Sequence, residues 1–270
     1  MQNIKIGYQL YSARELVEKS MRNVLKELSA LGYEGVEFAG FFGHSSEEIN
    51  AMLKEFNLEA ASSHVPVKDL RENLDSIIQF HKEIGCKHIV VPYIEKGERP
   101  GEEGFAGILR LIFEVGQKCR ENGIQLLYHN HDFEFKKVSQ MYGLDFIYTA
   151  VPEDLLKTEI DTCWVHYAGL DPVEYVKKYA GRAPVVHLKD YNGVKISGDP
   201  YALIGLDEES DKDESFAYAP FGHGVQNVKE LLNAGKVAGA EWFVVEQDEP
   251  TENGPMADAK LSIESIINAR

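Results

Sequence analysis

The stretch IQLLYHNHDFEF, residues 124–135, begins as hydrocarbon suited to a protein interior and ends in groups that are costly to bury. Ile124, Leu126, Leu127 and Tyr128 favour a strand covered on both faces. His129 and His131 follow two residues apart, and Glu134 comes three residues later. The same design recurs along the chain. Apolar, β-prone runs occupy 4–11, 33–39, 58–65, 87–94, 124–131, 155–165, 183–191 and 241–248. Between them lie stretches such as SMRNVLKELSALGY, SSEEINAMLKEFN and LRENLDSIIQFHKEIG, whose apolar residues recur at three- and four-residue spacing. Gly often closes such a stretch, and SSEE opens one with a capping-box signature.

Eight strand–helix units in series predict a parallel (β/α)8 TIM barrel, a single domain over residues 1–270. The fifth helix falls within 140–152. Residues 192–222, acidic and punctuated by Gly and Pro, break the rhythm after the seventh strand and are expected to form a lid over the catalytic mouth. A formal net charge of −16 argues against a nucleic-acid partner. Three scattered cysteines without a CxxC pair suit a reduced, cytoplasmic setting. No apolar run is long enough for a membrane helix, and the N-terminus lacks the pattern of a signal peptide.

In a parallel barrel, function gathers at the carboxyl ends of the strands. Here those ends carry Gln9 and Tyr11, Glu37, His64, Tyr93, His129 and His131, Asp161 and Trp164, His187 and Lys189, and Glu246. Strand alternation sets His129 with His131, Glu159 with Asp161, and His187 with Lys189. Each residue taken alone has an ordinary reading: His129 as a hydrogen-bonded interior histidine, Asp161 as a helix cap, His187 as a bridge between layers. Together, four consecutive strand ends aim a His, an Asp, a His and a Glu at one axis. That donor set suits one divalent ion: Mn²⁺, Mg²⁺, Co²⁺ or Zn²⁺.

With these residues in hand, the chain resembles the xylose isomerase-like TIM barrels, the sugar phosphate isomerase/epimerase group. The resemblance is carried by IGYQLYSARE (6–15), YHNHDFEF (128–135), EIDTCWVHYAGLDPVEYVKKYAGR (159–182), VVHLKDY (185–191), GHGVQN (222–227) and VVEQDEP (244–250). It implies one divalent metal held at the ends of strands five to eight, where the family usually has Glu, Asp, His and Glu. The matching residues here are His129, Asp161, His187 and Glu246. His129 departs from that pattern, which places a symmetric two-carboxylate epimerisation in doubt and leaves His131, or Glu134 from just beyond the strand, as alternative ligands there. Its Tyr-His-X-His strand end is similar to the inosose dehydratase branch.

The activity so implied is that of an isomerase or epimerase, abstracting a proton from a sugar or keto-sugar through an enediolate. The alternative is an inosose dehydratase-like lyase that eliminates water from a keto-cyclitol or keto-sugar. Glu246 is the expected ligand and base, with Glu134, His131 or Lys189 as acid/base partner. Gln9, Tyr11, Glu37, His64, Trp164 and His223 are expected to contact substrate, with Phe221 as a further apolar wall. No basic cluster of the kind a phosphate pocket needs is visible, which favours an uncharged polyol or keto-sugar. The family resemblance also makes a homo-oligomer possible. A DNA-repair nuclease would need a multi-metal cluster and a basic face, and a non-catalytic binding protein would keep the pocket without turnover.

Overall fold

The computed structural model describes residues 4–196 and 215–270. Eight parallel strands close into a barrel: β1 (Lys5–Gln9), β2 (Gly35–Ala39), β3 (Glu59–His64), β4 (His88–Val91), β5 (Gln125–His129), β6 (Leu156–Asp161), β7 (Val185–Leu188) and β8 (Trp242–Val245). Each strand pairs with its neighbours in chain order, and β8 returns to β1, pairing Tyr8 with Val245. This is a (β/α)8 TIM barrel.

Among the described residues nine helices surround it: α1 (Arg14–Leu31), α2 (Ser46–Phe56), α3 (Val67–Glu83), α4 (Phe105–Glu121), α5 (Gly143–Ala150), α6 (Thr162–Tyr167), α7 (Pro172–Lys178), α8 (Val228–Ala238) and α9 (Pro255–Ala269). The SSEE signal behaves as its chemistry dictates. Ser45 caps α2 by accepting from Glu48 N–H, and the Glu48 carboxylate accepts from Ser45 N–H at 2.9 Å. Helix α5 lies inside the interval expected for it. None of the described helices is long and apolar enough to cross a membrane.

Alternation divides each strand between two cores. Outward residues such as Leu126, Tyr128, Ile160 and Phe243 pack beneath the helices. Inward residues Ala61, Val90, Leu127, Val185, Trp242 and Val244 fill the lower half of the barrel. Trp242 needs a small neighbour there: a Cβ on Gly35 would meet its ring at 2.6 Å and Glu59 O at 2.7 Å. Above this apolar floor the inward positions turn polar, and register fixes which groups meet. His129 lies beside Glu159, and Asp161 lies beside His187.

Two expected strands end early. The run 155–165 stops at Asp161, whose side chain accepts from Trp164 N–H at 2.8 Å and starts α6. The run 183–191 leaves the barrel after Leu188, and Asp190–Tyr191 pairs instead with Tyr218–Ala219 in an antiparallel ladder. Most of the segment expected to be a lid, residues 197–214, lies outside the described residues. Its two ends are fastened by Asp190. This buried carboxylate accepts from Tyr191, Val225 and Gln226 N–H on Oδ1, and from Gly222 and Gly224 N–H on Oδ2, all within 2.8–3.1 Å.

Candidate metal centre

One donor atom each from His129, Asp161, His187 and Glu246 lies within 4.8 Å of the other three. The four residues come from neighbouring strand ends and are all buried. The architecture brings them together for a simple reason. Each follows its strand's apolar segment at inward parity, and the stagger between β5, β6 and β7 aligns them at one height.

The chemistry of the set fits a divalent ion. Asp161 Oδ1 is used as the helix cap, but the buried Oδ2 has no hydrogen-bond partner. It faces His129 Nε2 and Lys189 Nζ, each at 3.8 Å. Burial pushes this carboxyl up to about 7, against the opposing pull of Lys189. Two imidazoles and two carboxylates form a mixed donor set that matches ions of borderline or hard character.

Both histidines also have outer partners. His129 Nδ1 is 3.2 Å from Glu159 Oε1, leaving Nε2 to face Asp161. His187 Nε2 is 2.7 Å from Glu37 Oε1, while its Nδ1 lies 3.2 Å from Glu246 Oε2. Such outer carboxylates fix the tautomer and orientation of a ligand imidazole. Burial alone would lower His187, but Glu159, Glu37 and Glu246 hold it well above the usual histidine range. His129 is pushed well below that range by burial, so its ring is neutral.

Lys189 stands beside the set, almost fully buried. Its ammonium is 3.0 Å from Glu246 Oε2 and 2.6 Å from Asp248 Oδ2. It sits over the Trp164 and Tyr218 rings at 5.3 and 5.4 Å. Burial would lower it, but Asp248, Glu246 and Asp161 hold it well above its ordinary value, so it stays charged. Burial likewise opposes ionisation of Glu246, yet Lys189 and His187 keep its carboxyl well below the usual range.

The other expected site residues divide. His131 and Trp164 are buried beside the set, their rings 5.5 Å apart, with His131 5.1 Å from His129. His64 stacks over His187 at 5.5 Å and an 11° tilt. Tyr11 is partly exposed, its ring 4.5 Å beneath the Arg14 guanidinium. Phe221 is buried in the outer core.

Four placements differ from expectation. Gln9 and Glu37 are fully buried and satisfied by protein rather than facing a substrate. Gln9 donates to Glu37 at 2.5 Å, and Glu37 also holds His187, His64 and Ser62. Glu134 does not reach the ligand set. It lies on a short 3-10 turn beyond the strand, accepting from the outward Tyr128 hydroxyl at 2.6 Å and from His131 N–H at 2.8 Å. His223 is exposed on the turn that Asp190 organises.

Sequence reasoning also missed partners. Asp248 shares the inward parity of Glu246, so a signal existed for it, while Glu159, already read as facing the same way as Asp161, was given no role. Asn130 gave none. Its amide accepts from Asp161 N–H at 3.0 Å and donates to Asp161 O at 3.3 Å, tying the end of β5 to β6. Lys96, Arg99 and Lys136 line one cavity of about 530 Å³ with Phe133, but Glu102 shares that cavity and pairs with Lys136 at 3.1 Å.

Comparison with known proteins agrees with this fold. The family model for the xylose isomerase-like TIM barrel matches residues 25–268. An inosose dehydratase from Geobacillus kaustophilus is 25% identical over 189 residues, covering 62% of this chain and 61% of the relative. This chain therefore aligns with about three fifths of that relative's length. A solved sugar phosphate isomerase/epimerase from Parabacteroides distasonis superposes with a TM-score of 0.79 at 20% identity, covering 99% of both chains. The IolI protein, solved with a bound zinc atom, gives a TM-score of 0.74 at 15% identity and covers 98% of both chains.

Proposed function

We propose, from the premise that this chain belongs to the xylose isomerase-like TIM barrel family, that it is a divalent-metal-dependent enzyme that moves the proton α to the carbonyl of a keto-sugar or keto-cyclitol. The family points to sugar isomerase/epimerase or inosose dehydratase activity. The observation that carries the reading is the convergence of His129, Asp161, His187 and Glu246 next to a buried, charged Lys189.

These four residues would hold the ion. When bound, it supplies Lewis acidity, polarising a carbonyl and stabilising negative charge on neighbouring oxygens. The zinc carried by the IolI structure supports a metal in this fold.

The chain's own groups then divide the work. Glu246, kept ionised by Lys189, takes the proton from the carbon next to the carbonyl, and the electron pair passes to the carbonyl oxygen. The Lys189 ammonium donates hydrogen bonds to oxygen that gains charge. Trp164 and His131 supply flat walls that pack a sugar face and exclude water. The hydroxyl proton on the α carbon's oxygen then passes to the former carbonyl oxygen, and return of the first proton to the former carbonyl carbon completes an isomerisation.

A second reading is elimination. It is favoured by His129, which occupies the place of a carboxylate that would otherwise work the opposite face of the substrate. Lys189, which stays charged, would then protonate the departing hydroxyl, releasing water as the β carbon–oxygen bond breaks. The inosose dehydratase relatives support the same reading.

The test is incubation with Mn²⁺ or Zn²⁺ and a panel of ketoses and keto-inositols in deuterated water. Deuterium at the α carbon with conserved skeleton mass marks isomerisation, and loss of one water marks the lyase. A metal-loaded protein that neither exchanges protons nor converts any of them sinks the enzymatic reading.

A further inference from the structure

Glu159 is fully buried one layer below the ligand set, and a single oxygen of it meets three imidazoles. Oε1 lies 2.7 Å from His64 Nε2, 3.2 Å from His129 Nδ1 and 3.1 Å from His187 Nε2. A neutral imidazole has one N–H and one lone pair on opposite sides of the ring. An acceptor at His129 Nδ1 therefore commits the Nε2 lone pair to the Asp161 side, where the ligand set lies. With Glu37, the same oxygen holds Nε2 of His187 and leaves its Nδ1 to face Glu246.

The charge balance points the same way. A ligand set with His129 at the end of β5 has one negative charge fewer than a set with a carboxylate there. Glu159 returns that charge directly behind the ring. We propose that Glu159 is a positioning residue that makes His129 a metal ligand and replaces, from the neighbouring strand, the carboxylate absent from β5. This rests on the metal-dependent reading above.

His64, His129, Glu159 and His187 also form a second group compact enough for an ion. It shares two histidines with the first. The ring nitrogens that face Glu159 cannot donate to it and bind an ion at the same time. The geometry thus assigns this lower group to support and the upper group to ligation.

The experiment measures Mn²⁺ and Zn²⁺ affinity of the full chain by chelator competition, with metal stoichiometry and the Co²⁺ absorption spectrum. Glu159→Gln, which keeps the side-chain volume, is expected to weaken binding about 10–100-fold, the usual cost of losing such a partner. In a His129→Glu background the sign reverses. Two carboxylates would face each other there, so adding Glu159→Gln should tighten binding. Should Glu159→Gln alone fail to fold, Glu159→Asp and the double variant carrying His129→Glu decide the matter.

Unchanged affinity in Glu159→Gln, or an equal loss in both backgrounds, overturns the proposal. So does wild type holding two ions where Glu159→Gln holds one, because Glu159 would then be a ligand itself. A wild type that binds no ion overturns the metal-dependent reading, and this inference with it.

Discussion

Lys189 Nζ stands 3.0 Å from Glu246 Oε2, and neither group has appreciable contact with solvent. Breaking a buried pair by removing one member costs about 3–5 kcal/mol, because a charge is left without compensation. Lys189→Met is therefore expected to destabilise the apoprotein by about that amount. A divalent ion would neutralise the same carboxylates, so added Mn²⁺ should raise the melting temperature of the variant more than that of wild type. Equal shifts in calorimetry would contradict the arrangement, and turnover should fall even where stability recovers.

Asp161 has two separable duties, since Oδ1 caps α6 and Oδ2 faces the ligand set. Asn is as good a cap as Asp. Asp161→Asn should preserve apoprotein stability while losing most metal affinity. Asp161→Ala should lose the metal and, in addition, about 1 kcal/mol of stability. Urea unfolding of both variants without metal, beside isothermal titration with Mn²⁺, separates the two roles.

Burial pushes the Glu134 carboxyl up to about 8. Its folded value thus lies above its unfolded one. The resulting stabilisation is complete below the unfolded value of about 4.3 and is lost as pH rises through about 8. Glu134→Gln removes this titration. The variant should show a flatter stability profile between pH 5 and pH 9 in urea melts, about one proton less in slope. Its metal affinity should match wild type, because Glu134 lies behind β5.

Chelation should also register as a stability change. An ion that binds only the folded chain stabilises it by about 2.7 kcal/mol at a free concentration one hundred times its Kd. A melting temperature indifferent to EDTA and to added Mn²⁺, Co²⁺ or Zn²⁺ would count directly against the metal centre.

Much of this was legible from residue order alone. Apolar runs that turn polar at their ends located the strands, two-residue periodicity set the inward faces, and the family resemblance singled out His129, Asp161, His187 and Glu246 on them. Periodicity stops where a strand stops, which is why Glu134 was misplaced. The chain bends into a 3-10 turn, and Glu134 meets the outward Tyr128. Height along the barrel axis is equally hidden. Glu37 and Gln9 have the right parity, but strand stagger sets them below the opening. Lys96 and Arg99 meet Lys136 from a different loop, a proximity that only tertiary structure creates.

The plug of Trp242, Val185, Leu127 and Val90 has a consequence for traffic. Among the described residues the barrel is stopped at its base, so a substrate would have to approach the ligand set from the loop end. Reactant and product would share one doorway, so each turnover has to vacate the chamber before the next can begin. Any water set free by the reaction would leave by the same route, and departure can govern the pace as readily as bond breaking.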